Sequence, residues 1–362
     1  MMNVSKQSMR WWMSVWVLGL LAACSQDDPG PARSSTEGEW AIPRTQVFDG
    51  GPGKDGIPSI DRPVFGSIAS ETANVSNDEL VVVVKAGDQV RAYPHNILDW
   101  HEIVNDAFDQ GLNLALTYCP LTGTAIGWDR EVDGSVTTFG VSGLLYNSNL
   151  IPYDRNTDSY WSQMLNLGVR GQHLERGIVT YPVSEMTFGA FKSAFPDGVV
   201  LTQNTGFDRR YGFYPYGSYL SVESTLFPVS REDRRIFGKE RVLGIQHEGI
   251  TRVYQLTHFE DTHVLLDEID GASVVIFGSE SQGFANGYFS RELNGETIRF
   301  QSTDGENGVV ATDQFGNQWN LFGEAISGPD AGEVLTPTAS YIGFYFAWVA
   351  FNEEVEIFEA EN

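Results

Sequence analysis

The sequence predicts a mainly β fold of the α+β kind, built as two β-rich pseudo-repeats of antiparallel strands with a few short helices. Three observations predict it. Short apolar or alternating runs (Val81 to Val84, Leu112 to Tyr118, Val136 to Val141, Val274 to Phe277, Thr297 to Gln301) are separated by turn signals such as "AGD", "VDG" and "LNG". Such regular turn spacing favours antiparallel sheet over alternating βαβ units. The chain also aligns with itself: "REVDGSVTTF" from Arg130 matches "RELNGETIRF" from Arg291 without gaps, and Arg91-Ala92-Tyr93 matches Arg252-Val253-Tyr254 at the same offset. Trp161 then matches Trp319, and "AFPDGV" from Ala194 matches "AFNEEV" from Ala350, in the same order. Finally, helical spacing is rare: Ser184 to Phe195 carries Phe188, Phe191 and Phe195 behind a serine N-cap, and Pro94 opens a short turn through Trp100.

In chain order, residues 1–23 read as a bacterial lipoprotein signal peptide. Lys6 and Arg10 precede the apolar run Trp11 to Leu21, and Leu21-Ala22-Ala23-Cys24 forms a cleavage site ending in cysteine. The run is too short to span a bilayer as a helix. Cys24 is therefore the expected lipidation site, and Ser25 after it points to the outer membrane, facing the periplasm. Residues 24–54 follow as a flexible tether rich in Pro, Gly and Ser. Then come the first repeat (55–203), an aromatic connector (204–239) with Tyr211, Phe213, Tyr214, Tyr216 and Tyr219, and a second, degenerate repeat (240–362). The connector reads as a seam packing the halves together, or as a sugar-binding platform.

A net charge of −25 repels phosphate backbones and argues against nucleic acid as a partner. The expected partner is a membrane, through the N-terminal lipid; the substrate or protein partner is open. With Cys24 lipidated, Cys119 is a lone thiol in an oxidising compartment, and no internal disulfide can form.

Cys119 lies in "LALTYCPLTGTA". A constant offset sets Glu280 against it in the second repeat and Thr262 against His101, so the pair belongs to one half only. A hairpin centred on Gln110 puts His101 opposite Cys119, with Cβ atoms about 5 Å apart, and Glu102 opposite Tyr118. Three uses follow. Cys119 is a nucleophile or redox centre tuned by His101 and Glu102; or Cys119, His101 and His95, with Asp99 or Glu102, hold copper, zinc or iron; or the thiol is a buried hydrophobe. Residues 140–163 read as an insertion near this site, with Tyr118, Ser142, Tyr146, Asn147, Asp154, Arg155 and Trp161 as pocket candidates. His247, His258 and His263 form a weaker constellation, and no GxSxG, HExxH, P-loop or dinucleotide fingerprint occurs.

Several long motifs, "DGIPSID" (from Asp55), "RAYPHNILDWHEIVND" (from Arg91), "TYCPLTGTAIGWDREVDG" (from Thr117), "FGVSGLLYNSNLIPYDRNTDSYWSQ" (from Phe139) and "TGFDRRYGFYPYGSY" (from Thr205), resemble the bacterial exported family catalogued as domain of unknown function 3179. The resemblance brings no activity. It implies that Cys119 opens a turn often written Cys-Pro-Leu-Cys, with Thr122 here replacing the second cysteine. That departure argues against a dithiol mechanism and leaves Cys119 as a single nucleophile or metal ligand. The alternative reading of the chain is a non-catalytic envelope module that binds a peptide or glycan through the connector.

Overall fold

The computed structural model describes residues 38–260, 263–304 and 308–360. The expected signal peptide (1–23), the expected lipidation site Cys24, most of the expected tether and Thr262 lie outside them. Strands dominate, and the four α-helices of the described residues are each at most seven residues long. The fold is mainly β.

The sheets come in matching pairs. In the first half, strands Ser184–Thr187, Leu80–Ala86, Gln89–Pro94 and Val199–Leu201 lie side by side, the last pair parallel. In the second half, Ala339–Phe344, Arg241–His247, Ile250–Gln255 and Glu356–Ile357 repeat that order and those directions. A second sheet, Ile103–Ala107, Asn113–Cys119, Thr124–Asp129 and Thr180–Tyr181, is matched by Val264–Ile269, Ala272–Ser279, Phe284–Phe289 and Thr336–Pro337. A third, Phe139–Tyr146 through Leu167–Arg170, is matched by Phe300–Ser302 through Ala325–Ser327.

Side chains kept in both halves hold these sheets together. Tyr93 and Arg91 converge on Asp106 at 2.6 Å, as Tyr254 and Arg252 do on Asp267 at 2.7 and 2.6 Å. The buried indole of Trp161 donates to Asp154, and that of Trp319 to Asp313. A buried N–H needs an acceptor, and each half supplies the same one.

The halves interlock. The amide of Thr187, at the start of the Phe188–Ala194 helix, donates to Gln282 O, and the amide of Phe344, before the Tyr345–Phe351 helix, donates to Thr122 O, both at 2.8 Å. Each half thus seats its strand-to-helix corner on the other half's central turn. Gly123 (φ 60°) makes this close approach possible, because a Cβ there would meet the Phe344 ring at 2.8 Å. An ion pair with one buried partner adds to the joint: half-buried Arg241 Nη2 lies 3.0 Å from Oε2 of buried Glu185.

Three expectations change. The tether ends before Trp40, since Arg44–Gln46 forms a 3-10 turn and Val47–Asp49 pairs with Phe139–Tyr146. Its apolar Ile42 and Val47 pack against Ile151 and Val169, which a solvated spacer would leave wet. The helix expected from Ser184 starts at Phe188 with Thr187 as its cap, because Ser184–Thr187 completes a sheet. Residues 140–163 are a lengthened hairpin of the third sheet, not an insertion.

Candidate functional site

Cys119 ends its strand opposite Thr124, and the chain turns back through Pro120 to Gly123. Registers in the two halves equate Cys119 with Ser279, one position from the Glu280 expected. Below the turn lies a closed polar network. Asn149 Nδ2 donates to Thr122 Oγ1 (2.9 Å) and Gln163 Oε1 (2.6 Å), Gln163 Nε2 donates to Thr117 Oγ1 (3.0 Å), and Thr124 shares the set. The same registers give Phe277 and Phe284 where the first half has Thr117 and Thr124. A satisfied buried network fixes one geometry, whereas apolar packing alone specifies less. The second half has an apolar core where the first has a rigid polar seat for its turn.

The expected hairpin register holds from Ile103 opposite Thr117 to Ala107 opposite Asn113. It does not carry His101 to Cys119. His101 is the last residue of the His95–His101 helix, and Glu102, in left-handed backbone (φ 57°), turns the chain into the strand. Only the bond from Tyr118 N to Glu102 O (2.6 Å) extends the ladder. The His101 ring is fully engaged elsewhere. Its Nδ1 faces Pro58 O at 2.7 Å and so carries the proton, leaving Nε2 to accept from Tyr211 OH at 2.8 Å. Burial, reinforced by Arg209, lowers its pKa to about 4 against the Pro58 bond, so the ring is neutral.

The ionisable acid that shares a cavity with Cys119 is Glu102. Both line a cavity of about 180 Å³ whose other walls are largely apolar, among them Ile57, Leu121, Val141, Leu144, Leu150 and Phe227. Tyr216 also borders it and donates to Glu102 Oε1 at 3.1 Å. Burial pushes Glu102 up to about 7, against the Tyr216 bond. Burial first, and then the Glu102 charge, push the Cys119 thiol up to about 11, against the hydroxyl and amide of Thr122 and the amide of Leu150. The Sγ otherwise reaches Ser148 O at 3.7 Å.

Over this site lies the connector. Tyr214 OH donates to Pro120 O (3.3 Å), Tyr219 OH to Leu121 O (2.8 Å), and Tyr216 and Tyr211 reach Glu102 and His101 as described. It is a strap over the first half's turn rather than an even seam between halves. Its tyrosine hydroxyls are spent on protein groups, while Phe207 and Phe213 stay exposed.

The metal set does not assemble. His95 stands apart from Cys119, with Nδ1 at 3.2 Å from Tyr118 OH and Nε2 at 3.2 Å from Glu185 Oε2. Among the described residues, no three or more His, Cys, Asp or Glu side chains are arranged to hold a metal ion. The second-half histidines scatter too: His247 packs on Phe289, His258 on Phe358, and His263 faces Thr303 O.

None of the seven pocket candidates lines the cavity. Tyr118 points to His95, and Ser142 bonds Ile151 O within its strand pair. Tyr146 packs on Phe351, while Asn147 ties Ala350 O to the Ser230 amide. Asp154 and Trp161 form the structural pair shared by both halves. Arg155 binds Asp55 and Asp61. These polar residues were singled out for their chemistry, yet the walls are aliphatic side chains of the same segment. Alternation along Phe139–Tyr146 was the available signal for Val141, but the irregularity between Val141 and Leu144 breaks that period and brings both Leu144 and Leu145 to the cavity.

No curated protein and no solved structure matches the chain. A family model described as "Protein of unknown function (DUF3179)" matches residues 54–355, from the start of the first half almost to the last strand, and the chain belongs to that family.

Proposed function

We propose that the first half carries a single-thiol site, in which Cys119 captures a small, largely apolar electrophile and Glu102 receives the thiol proton. The observation that carries this reading is the shared cavity: one thiol and one carboxyl among apolar walls. An activated alkene fits that chemistry. As the alkene carbon bonds to sulfur the S–H bond breaks, its proton passes to the Glu102 carboxylate, and the π electron pair moves onto the neighbouring carbon. The proton held by Glu102 then returns to that carbon, completing an addition that needs no oxidant and expels no leaving group.

The acidities constrain the order of events. A thiol near 11 and a carboxyl near 7 make free proton transfer uphill by about 5 kcal/mol. Transfer must therefore accompany bond formation, as in general base catalysis. A thiol protonated at rest is also a poor target for oxidants, which suits an oxidising compartment. Of the two thiol-centred readings, this geometry favours the nucleophile over metal handling and replaces His101 by Glu102 as the partner.

The proposal includes export and lipid anchoring through Cys24, which rests on the Leu21-to-Cys24 motif. Fatty-acid labelling that is lost in Cys24→Ser would support it, and labelling that persists would refute it. The chemical test is alkylation by N-ethylmaleimide, read by intact mass. One adduct is expected on the wild type and none on Cys119→Ser. An unreactive Cys119, with a glycan or peptide bound at Phe207 and Phe213, would favour the non-catalytic alternative.

A further inference from the structure

A larger cavity, sharing no residue with the thiol site, lies where the two halves meet. It holds about 420 Å³, a volume in the range of small-molecule sites. Residues 125–127 and 180–183 of the first half wall it on one side, and 286–288 and 337–341 of the second half on the other. Among the described residues no acidic or basic side chain lines it, in a chain whose net charge is −25.

Four half-buried side chains of this lining each keep a polar atom that bonds no described residue. Asn166 Oδ1 accepts from Trp128 Nε1 (2.8 Å); an indole only donates, so the amide is fixed and its Nδ2 is left as a donor. Asn286 Nδ2 donates to Ser184 Oγ and Leu321 O (3.0 and 3.1 Å), which leaves its Oδ1 as an acceptor. Gln246 Nε2 donates to Asn352 Oδ1 (2.8 Å), while Asn352 Nδ2 is held by Trp348 O, so Gln246 Oε1 is a second acceptor. The Tyr341 ring stacks on Trp348 with centroids 4.4 Å apart, and its hydroxyl can donate or accept. None of these four atoms is sealed from solvent. Protein contacts therefore hold an uncharged set of donors and acceptors in place before any ligand arrives, which lowers the cost of binding.

The opposite wall is apolar. Strand registers equate Asn286 with Ile126 and Tyr341 with Ser184. Ile126 carries no polar group, and the Ser184 hydroxyl is already taken by Asn286. Beside Ile126 stand Pro182, Val183 and the ring of Tyr181, whose hydroxyl is spent on Lys85 O at 2.8 Å. Three of the four open polar atoms thus come from the second half, and the apolar face from the first.

We propose that this inter-half cavity binds a neutral pyranose sugar. A pyranose carries hydroxyls along its rim, each able to donate and accept, and an apolar C–H face. The rim suits the amides of Asn166, Gln246 and Asn286 and the Tyr341 hydroxyl, and the C–H face suits Tyr181, Ile126 and Val183. A carboxylate or ammonium would enter the same space without a counter-charge, at a desolvation cost the lining does not offset.

Calorimetry on the folded chain with the methyl glycosides of glucose, galactose, mannose and N-acetylglucosamine tests this. At least one is expected to bind at millimolar concentration, at least tenfold more tightly than cyclohexanol, which lacks the hydroxyl rim, and than its own uronate, which adds a charge. Tyr341→Phe removes only a hydroxyl without a protein partner, so it is expected to fold as the wild type does. It should weaken that sugar about fivefold or more, the worth of one hydrogen bond. Asn286→Leu should weaken it in the same direction, and Phe213→Ala, on the strap, should leave it unchanged. Heat from none of the four sugars, equal binding of cyclohexanol, or unchanged affinity in Tyr341→Phe would overturn the proposal, as would a loss confined to Phe213→Ala. Cys119 alkylation is expected to stay normal in Tyr341→Phe, so the two readings fail separately.

Discussion

The two central turns of the molecule do the same structural work with different chemistry. Thr122 O and Gln282 O each receive an amide from the opposite half, and Gly123 and Gly283 each adopt positive φ to let that happen. Yet the first turn opens with Cys119 over a polar network and a cavity, and the second with Ser279 over Phe277 and Phe284. What both halves keep is therefore architecture: the Arg–Asp–Tyr cluster, the Asp–Trp pair and the interlocking corner. What only one half has, with Cys119, Glu102 and the strap among it, is where the proposed site lies.

The largest effects should fall on what is shared or joins the halves. Trp161→Ala and Trp319→Ala should each cost about 3–5 kcal/mol, nearly equally, in chemical denaturation. A large inequality would break the equivalence of the halves. Glu185→Gln leaves Arg241 and His95 without their buried partner and should cost a similar amount, about 3–5 kcal/mol.

Next comes a pH effect confined to the first half. The folded protein holds the Glu102 proton up to about pH 7, against an ordinary value of 4.5. Stability from this group is fully present below about 4.5, falls as pH rises through about 7, and is then lost. The difference is on the order of 3 kcal/mol. Glu102→Gln should remove that loss, so the variant gains on the wild type between pH 5 and pH 9. His101 acts with the opposite sign, its contribution falling as pH drops from 6.5 through about 4. Denaturation at pH 5, 7 and 9 reads both, and a Glu102→Gln curve parallel to the wild type would count against the buried carboxyl.

Smaller still, Gln163→Leu should cost about 1–3 kcal/mol by removing the acceptor shared by Asn149 and Thr124 and the donor to Thr117. Cys119→Ser, which gives the first turn the residue of the second, should change stability by only about 1 kcal/mol while abolishing alkylation.

Much of this fold was legible in the chain because it is written twice. Strand alternation, turn signals and the Arg-x-Tyr and Trp matches reflect packing that both halves need. The hairpin register around Gln110 was also legible, since turn length fixes it. What sequence could not give was the point where pairing stops. Glu102 in left-handed backbone moves His101 out of the ladder and puts Glu102 itself in the lining of the Cys119 cavity. The strap's role was hidden for a related reason: its tyrosines act across long sequence separations, bonding carbonyls of Pro120 and Leu121 that carry no side-chain signal. The polar network was missed because Thr and Gln in strands read as surface residues until both faces are known to be covered.

The most direct test is the pH–rate profile of Cys119 alkylation by N-ethylmaleimide in the wild type and Glu102→Gln. With Glu102 as proton acceptor, the wild-type rate rises through pH about 7, levels, and rises again toward 11 as the thiolate itself forms. Glu102→Gln should lose the step near 7, reacting at least tenfold more slowly at pH 8 and as fast or faster above pH 10, where the repelling charge is gone. Superimposable profiles, each a single rise without the step, would contradict the account.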